Sequence, residues 1–252
     1  MRPVAFAAFA LALLHAGAHA ATSYAWMVPG SGDYAAPASW SPPRTSPAPD
    51  DILVIDGSVT PGPVLLSNVQ TQTIGQLWLG NGAQASLEAG SPVTLTITGD
   101  VGTDLDIPAG CTLRLGGKQR LSVELVPGAN GVVGGDVIFN ATAPNQPHRI
   151  ISNQADGLVF QSGATCAMAP TTTGAGGGFG DSTAPTSVPN GVRFEAGATY
   201  FQGGLKDGTR LGGIGPNPFG LVQPSAIVVF DAGSTYVNLG GVPSASGRTN
   251  GH

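Results

Sequence analysis

Three aspartates, Asp100, Asp104 and Asp106, lie in the nine-residue segment GDVGTDLDI. Hydrolysis of a glycosidic bond needs two carboxyl groups held about 5 to 9.5 Å apart, and carboxylates are also ligands of Ca²⁺. If Leu105 faces inward on a strand, Asp104 and Asp106 share the outward face, which would suit sugar or Ca²⁺ binding. Aspartate beside glycine is also a common turn residue. Because no calcium-loop motif is present, we favour turns and keep a ligand site at these three residues as the alternative.

Aromatic residues near the start of the chain give a second candidate site. Trp26, Tyr34 and Trp40 fall within 15 residues, and aromatic faces suit the apolar faces of sugars. Large aromatic side chains are also mostly buried in folded proteins. We therefore favour a role in plugging one end of the core, with sugar binding by Trp26 and Trp40 as the alternative.

Other residues that could do chemistry are few. His148 lies in PNQPHRII, and without a nucleophile motif such as G-x-S-x-G we expect an exposed loop side chain. His148, His252, Cys111 and Cys166 lack metal-ligand spacing, so we expect no metal and no cofactor. Although cysteines of exported chains often pair, we favour two small, buried and unpaired residues. The net charge of −5 argues against a nucleic-acid partner. We expect no catalytic residue.

The composition favours strands over helices. The 252 residues include 39 Gly and 21 Pro, and the 10% that are charged contain only three Glu and two Lys. Surface helices normally carry many straight-chain residues such as Glu and Lys. Apolar residues make up 41% of the chain, enough to build a core rather than remain disordered. We expect an all-β protein.

The first twenty residues have the pattern of a secretory signal peptide. Arg2 precedes an apolar run from Val4 to Leu14, and Ala18-His19-Ala20 is a small-x-small cleavage site. We expect cleavage after Ala20 and a secreted or cell-surface protein. No later stretch is apolar for long enough to span a membrane as a helix, so we expect no transmembrane segment.

Three segments of the C-terminal half repeat one pattern. GLVFQSGATC, GVRFEAGATY and IVVFDAGSTY align without gaps, with successive starts 34 and 36 residues apart. Such spacing is typical of stacked-repeat proteins, in which equivalent residues of successive repeats form columns. We expect such columns at the phenylalanine, glycine and final aromatic positions: Phe160, Phe194 and Phe230; Gly163, Gly197 and Gly233; Tyr200 and Tyr236.

The N-terminal half contains shorter segments that look related. LEAGSPVTLTI, LDIPAGCTLRL and VELVPGANGVV align on Gly90, Gly110 and Gly128. Alternating apolar residues beside these glycines predict half-buried strands. An ordinary β-sandwich also has short strands and frequent turns, but it does not require one residue type to return at one place. The repeats therefore favour a solenoid.

The segment from Tyr24 to Asp56 differs in composition from the rest. It holds two of the three tryptophans and a Pro-rich stretch, before what we predict as the first strand, Ile52 to Ile55. The end of a solenoid needs a cap, because its first coil would otherwise expose apolar side chains and unpaired backbone. Asp50 and Asp51 are expected to bind nearby backbone amides. We expect an N-terminal cap here.

Two stretches carry a resemblance to a known group of proteins. GSGDY between two tryptophans, followed by DDILVID, resembles the entry segment of parallel β-helix passengers in autotransporter-like and type IX secreted bacterial surface proteins. GLVQPSAIVVFDAGSTY resembles repeats of the type IX group. The similar stretches cover roughly Tyr24 to Val242. Such proteins usually end in a separate anchoring module, whereas this chain stops at SASGRTNGH, so we expect a fragment.

Together these features predict a right-handed parallel β-helix with an N-terminal cap. We expect a signal peptide at 1–20, a cap and Pro-rich entry segment at 21–60, solenoid repeats at 61–242 and a truncated tail at 243–252. The predicted function is a non-catalytic scaffold, stalk or adhesin-like module. Its expected partner is an extracellular polysaccharide or a host or cell-surface component. The alternative is a carbohydrate-active β-helix that binds or cleaves polysaccharide.

Overall fold

The computed structural model describes residues 21–99, 101–142, 147–168, 178–180, 187–203 and 227–238. The predicted signal peptide, Asp100, His252 and the predicted tail lie outside these ranges. The described residues are all-β apart from one 3₁₀ turn, Pro37–Ser39. None of the described helices is long and apolar enough to cross a membrane.

Twenty-one short strands form three sheets in the described part of the chain. The first sheet has the spatial order β20 (Val228–Phe230), β18 (Val192–Phe194), β16 (Leu158–Phe160), β13 (Gly131–Val133), β10 (Leu105–Ile107), β7 (Gln76–Gly80), β4 (Ile52–Asp56), β1 (Ser23–Trp26), β3 (Trp40–Ser41). The second has the order β2 (Ser31–Asp33), β5 (Pro63–Ser67), β8 (Gln84–Glu88), β11 (Thr112–Gly117), β14 (Asp136–Ala141), β17 (Thr165–Met168), β19 (Thr199–Gln202), β21 (Thr235–Asn238). The third has the order β15 (Arg149–Ser152), β12 (Leu121–Leu125), β9 (Val93–Ile97), β6 (Gln72–Ile74).

From β4 to β15 the chain visits the three sheets in rotation, and after β15 the described strands alternate between the first and second sheets. We call each such passage a circuit. β7, β8 and β9 form one circuit, and β10, β11 and β12 form the next. Each strand pairs in parallel with its equivalent in the neighbouring circuit, for example β7 with β10 and β8 with β11. The described pairing of β1 with β3 is antiparallel. This arrangement of parallel sheets is consistent with a β-helix.

Strands begin earlier in the chain than the sequence suggested. Ile52 to Ile55 was expected to be the first strand, but β1, β2 and β3 precede it. β1 pairs in parallel with β4, and β2 with β5. The N-terminal segment therefore contributes strands to the same two sheets as the residues that follow it.

Alternation of side chains directs the apolar residues of each strand into the interior. In β9 the residues Val93, Leu95 and Ile97 are buried, while Thr94 and Thr96 between them are half-exposed. Successive side chains of a strand point to opposite faces of a sheet. The three sheets therefore turn their apolar faces toward one common core.

An aromatic column forms the core of the C-terminal circuits. The ring centroids of Phe160 and Phe194 lie 4.3 Å apart, and those of Phe194 and Phe230 lie 4.9 Å apart, in near-parallel stacks. Tyr200 and Tyr236 stack beside them at 5.4 Å. These are the columns that the 34- and 36-residue spacing predicts.

The corner glycines behave differently in the two halves. Gly163, Gly197 and Gly233 each precede a strand of the second sheet with φ of +85°, +86° and +92°, a conformation that side chains disfavour. In contrast, Gly110 precedes β11 of the second sheet, whereas Gly128 precedes β13 of the first. The alignment on Gly90, Gly110 and Gly128 was therefore wrong, because it compared different corners of the circuit.

Candidate functional site

Asp104 is fully buried, whereas Asp106 is half-exposed, so the two carboxylates that were considered together as the alternative to turn residues lie in different environments. Gln76 Nε2 donates a hydrogen bond to Asp104 Oδ1 at 3.2 Å. The backbone N–H of Asn130 donates to Asp104 Oδ2 at 2.8 Å, and Asn130 Nδ2 donates to the same oxygen at 3.2 Å. Leu105 is fully buried and faces inward. Asp104 thus connects successive circuits at a corner.

Most of the other carboxylates with described hydrogen bonds have the same role. Each accepts a hydrogen bond from a side chain 25 to 38 residues away, on or beside the paired strand of the next circuit. The pairs are Asn68 with Asp33 (3.0 Å), Asn81 with Asp56 (3.0 Å), Asn153 with Glu124 (2.8 Å), Thr165 with Asp136 (2.6 Å), and Arg193 with both Asp156 (2.8 Å) and Asp231 (2.9 Å). These carboxylates join circuits rather than converge on one point.

Asp106 differs from that group. It lies on β10 at a half-exposed outward position, and partial burial raises the pKa of its carboxyl group. In the described part of the chain, no hydrogen bond to its carboxylate is found. Its in-register neighbour on β7 is Trp78. Trp78 is 38% exposed, and its Nε1 donates to the carbonyl oxygen of Thr103 at 2.8 Å.

The two tryptophans considered for sugar binding are enclosed in the core. Trp26 and Trp40 are 0% and 2% exposed, with ring centroids 5.1 Å apart in an edge-to-face arrangement. Tyr34 packs edge-to-face on Trp40 at 5.4 Å. These rings leave no free face for a ligand, in keeping with the plugging role favoured from the sequence.

A buried ion pair lies in this N-terminal region. Arg44 Nε contacts Asp51 Oδ2 at 2.6 Å, and both side chains are almost fully buried. Asp51 Oδ2 also accepts a hydrogen bond from the backbone N–H of Ala48 at 2.9 Å, the type of amide contact expected for it. The guanidinium carbon of Arg44 lies 5.8 Å from the ring centroid of Tyr24. Burial raises the pKa of the nearby Tyr34 hydroxyl above its usual range, and Arg44 partly offsets this rise.

His148 is buried rather than exposed, which corrects the sequence-based expectation. Its Nδ1 accepts a hydrogen bond from the backbone N–H of Leu121 at 3.2 Å. Burial lowers the pKa of His148 to about 4, although the carbonyls of Gly117 and Asn140 act in the opposite direction. The imidazole is therefore neutral at pH 7.

This burial predicts a pH-dependent stability. The unfolded chain protonates His148 near pH 6.5 and the folded chain only near pH 4, so the unfolded state binds more protons between these values. The free energy of unfolding should thus be highest above pH 6.5 and fall by about 3 kcal/mol on acidification to pH 4. Denaturant titrations at pH 7, 5.5 and 4 measure this loss.

The matched variant is His148→Asn, whose side-chain oxygen can still accept from Leu121 N–H but does not titrate. Asp56, whose pKa is lowered mainly by hydrogen bonds from Ser58 and Asn81, and Asp106, whose pKa is raised, are present in both proteins. The difference between the two pH profiles therefore isolates His148. Parallel profiles would contradict its assignment as a buried neutral group.

Cys111 and Cys166 are both buried and free, as favoured from the sequence. Burial raises the pKa of the Cys166 thiol well above its usual value, which makes it a poor nucleophile. Within the described ranges no three His, Cys, Asp or Glu side chains are grouped so as to hold a metal ion.

Comparisons with protein-family models, with curated proteins and with solved structures found no match. The site must therefore be interpreted from its own residues. Sequence reasoning missed Trp78 and Arg44. The alternation in QLWLG, with Leu77 and Leu79 facing inward, is the signal that directs Trp78 outward. For Arg44, a single cation in a Pro-rich segment just before Asp50 and Asp51 is the available signal.

Proposed function

We propose that this chain is a secreted or cell-surface β-solenoid segment that acts as a scaffold, stalk or adhesin-like module without catalysis. In this proposal the solenoid is right-handed, the sense expected for parallel crossover connections, and the region around Trp26 and Trp40 is its N-terminal cap. The signal-peptide pattern of residues 1–20 supports export. The resemblance to passengers of autotransporter-like and type IX secreted proteins supports the same role.

The observation that carries this proposal is that the carboxylates with described hydrogen bonds mostly join neighbouring circuits. Glycoside hydrolysis needs one carboxyl group as acid and a second as base or nucleophile across the scissile bond. Asp104 is buried and bound to Asn130, and the pairs of Asp136 with Thr165 and of Glu124 with Asn153 likewise join neighbouring circuits. Such acids resist separation of the circuits, which is what an extended scaffold needs.

The experiment uses protein that is exported with its own leader. After cleavage, this protein is expected to start at Ala21. We expect no reducing ends and no unsaturated products when it is incubated with pectic, alginate, glucan and chitin-like polysaccharides. Turnover that disappears in Asp106→Asn would overturn the scaffold proposal in favour of the carbohydrate-active alternative. An exported product that still starts at Met1 would contradict the assignment of the leader.

A further inference from the structure

Trp78 and Asp106 form an outward pair on the first sheet, and the Asp106 carboxylate has no hydrogen bond that joins circuits in the described part of the chain. The two residues are direct partners in the parallel pairing of β7 and β10, and paired strands lie about 4.8 Å apart. The indole is fixed by its hydrogen bond to the Thr103 carbonyl oxygen. A rigid aromatic ring thus lies next to a carboxylate on an open face.

The surroundings of the pair are partly apolar. Val54 precedes Trp78 in the same outward column and Val132 follows Asp106, and both are half-exposed. Val101, in the loop that binds the indole through Thr103, is 92% exposed. A ligand that lies along this column meets an apolar strip with one negative charge.

We propose that Trp78 and Asp106 bind an amino sugar of a polysaccharide, with the sugar ring stacked on the indole and its ammonium group next to the carboxylate. The apolar face of a pyranose ring suits an aromatic face. The Asp106 carboxylate is partly desolvated. An ammonium group next to it would supply both hydrogen-bond donors and a positive charge. The chain's net charge of −5 further disfavours acidic polysaccharides.

The geometry favours a sugar over a simple cation such as a lysine side chain. Sites that bind quaternary ammonium groups by aromatic contact alone use several rings that surround the charge. In the described part of this face, Trp78 is the aromatic residue of the outward column that runs from Val54 to Arg193, so this column supplies no second ring to enclose an isolated cation. One ring beside one carboxylate matches a sugar residue that carries one ammonium group.

The test measures binding of the exported protein to a glucosamine hexamer and to an N-acetylglucosamine hexamer by titration calorimetry, which does not need Trp78 as a reporter. Because Trp26 and Trp40 are buried, quenching of tryptophan fluorescence by acrylamide reports mainly on Trp78. We expect the glucosamine hexamer to bind more tightly and to protect the fluorescence from quenching. Trp78→Ala should weaken binding by about tenfold or more, and Trp78→Phe, which keeps a flat ring, should weaken it less.

The variant Asp106→Asn tests the contribution of the carboxylate charge to binding separately from that of the indole ring. This variant should bind the two hexamers equally, because it keeps the indole but loses the partner of the ammonium group. Thr112→Ala, at a half-exposed outward position on β11 of the second sheet, is the matched control and should bind as the unmodified protein does.

Three results would overturn the assignment. They are failure of both hexamers to bind, unchanged binding in Trp78→Ala, and equal protection of Trp78 by a lysine pentapeptide, which would identify a cation site instead. The scaffold proposal is tested separately by product formation, so binding without turnover supports both proposals. Cleavage of a polysaccharide would overturn the scaffold proposal, and the binding of the two hexamers would then be the test of this site.

Discussion

Replacing Phe194 by alanine is expected to lower the free energy of unfolding by about 3 to 5 kcal/mol, the usual cost of truncating a large core side chain. Phe194 is fully buried and lies at the centre of the aromatic column. Its ring stacks on those of Phe160 and Phe230 and meets those of Phe179 and Tyr200 edge-on, at centroid distances of 6.2 and 5.9 Å. The truncation removes all four contacts and leaves a cavity. Denaturant unfolding measures the loss.

Phe230→Ala is the matched control for this prediction. Phe230 belongs to the same column but is half-exposed on β20, the last strand at that end of the described part of the first sheet. Its truncation removes less buried surface and should cost clearly less than that of Phe194. Equal costs for the two variants would contradict the idea that stacking on both faces is what stabilises the column.

The two truncations also test how far stability is local. In stacked repeats each unit contacts only its neighbours, so a lost contact destabilises adjacent circuits most. Hydrogen exchange in Phe194→Ala should accelerate in β16, β18 and β19. Exchange in β1 and β4, several circuits away, should change little. A uniform acceleration along the chain would indicate a single cooperative unit instead.

The C-terminal half of the fold could be predicted from the sequence because the same residue type occupies the equivalent position in each repeat. Phenylalanine at 160, 194 and 230 and glycine at 163, 197 and 233 mark the same strand and the same corner in each circuit. In the N-terminal half the positions equivalent to these phenylalanines are Ile55, Leu79, Ile107 and Val133. Because three different and common aliphatic residues fill this position, it has no recognisable signature, and glycines from different corners were aligned instead.

The site was only partly predictable because burial on the outer side of a strand depends on residues distant in sequence. The alternation in LDI is sufficient to direct Leu105 inward, the condition on which the ligand-site alternative rested. It could not predict that Gln76 and Asn130 enclose Asp104, since these partners are 28 and 26 residues away. His148 was missed for the same reason, because its partner Leu121 is 27 residues away.

The second large effect is expected at the buried ion pair of Arg44 and Asp51. Arg44→Met should lower the free energy of unfolding by about 3 to 5 kcal/mol, because it leaves the Asp51 carboxylate buried without a cation. Asp51→Asn should also destabilise, since it leaves a buried guanidinium whose Nη2 already lacks a hydrogen-bond partner among the described residues.

The double variant Arg44→Met with Asp51→Asn separates charge from packing. It removes both charges, while the asparagine oxygen can still accept the hydrogen bond from Ala48 N–H and methionine fills part of the space left by arginine. We therefore expect the double variant to be more stable than either single variant, with a coupling energy measured by a double-mutant cycle. Additive losses would show that the two charges do not stabilise one another. In that case the burial of Arg44 would have to be explained by its packing on Tyr24 alone.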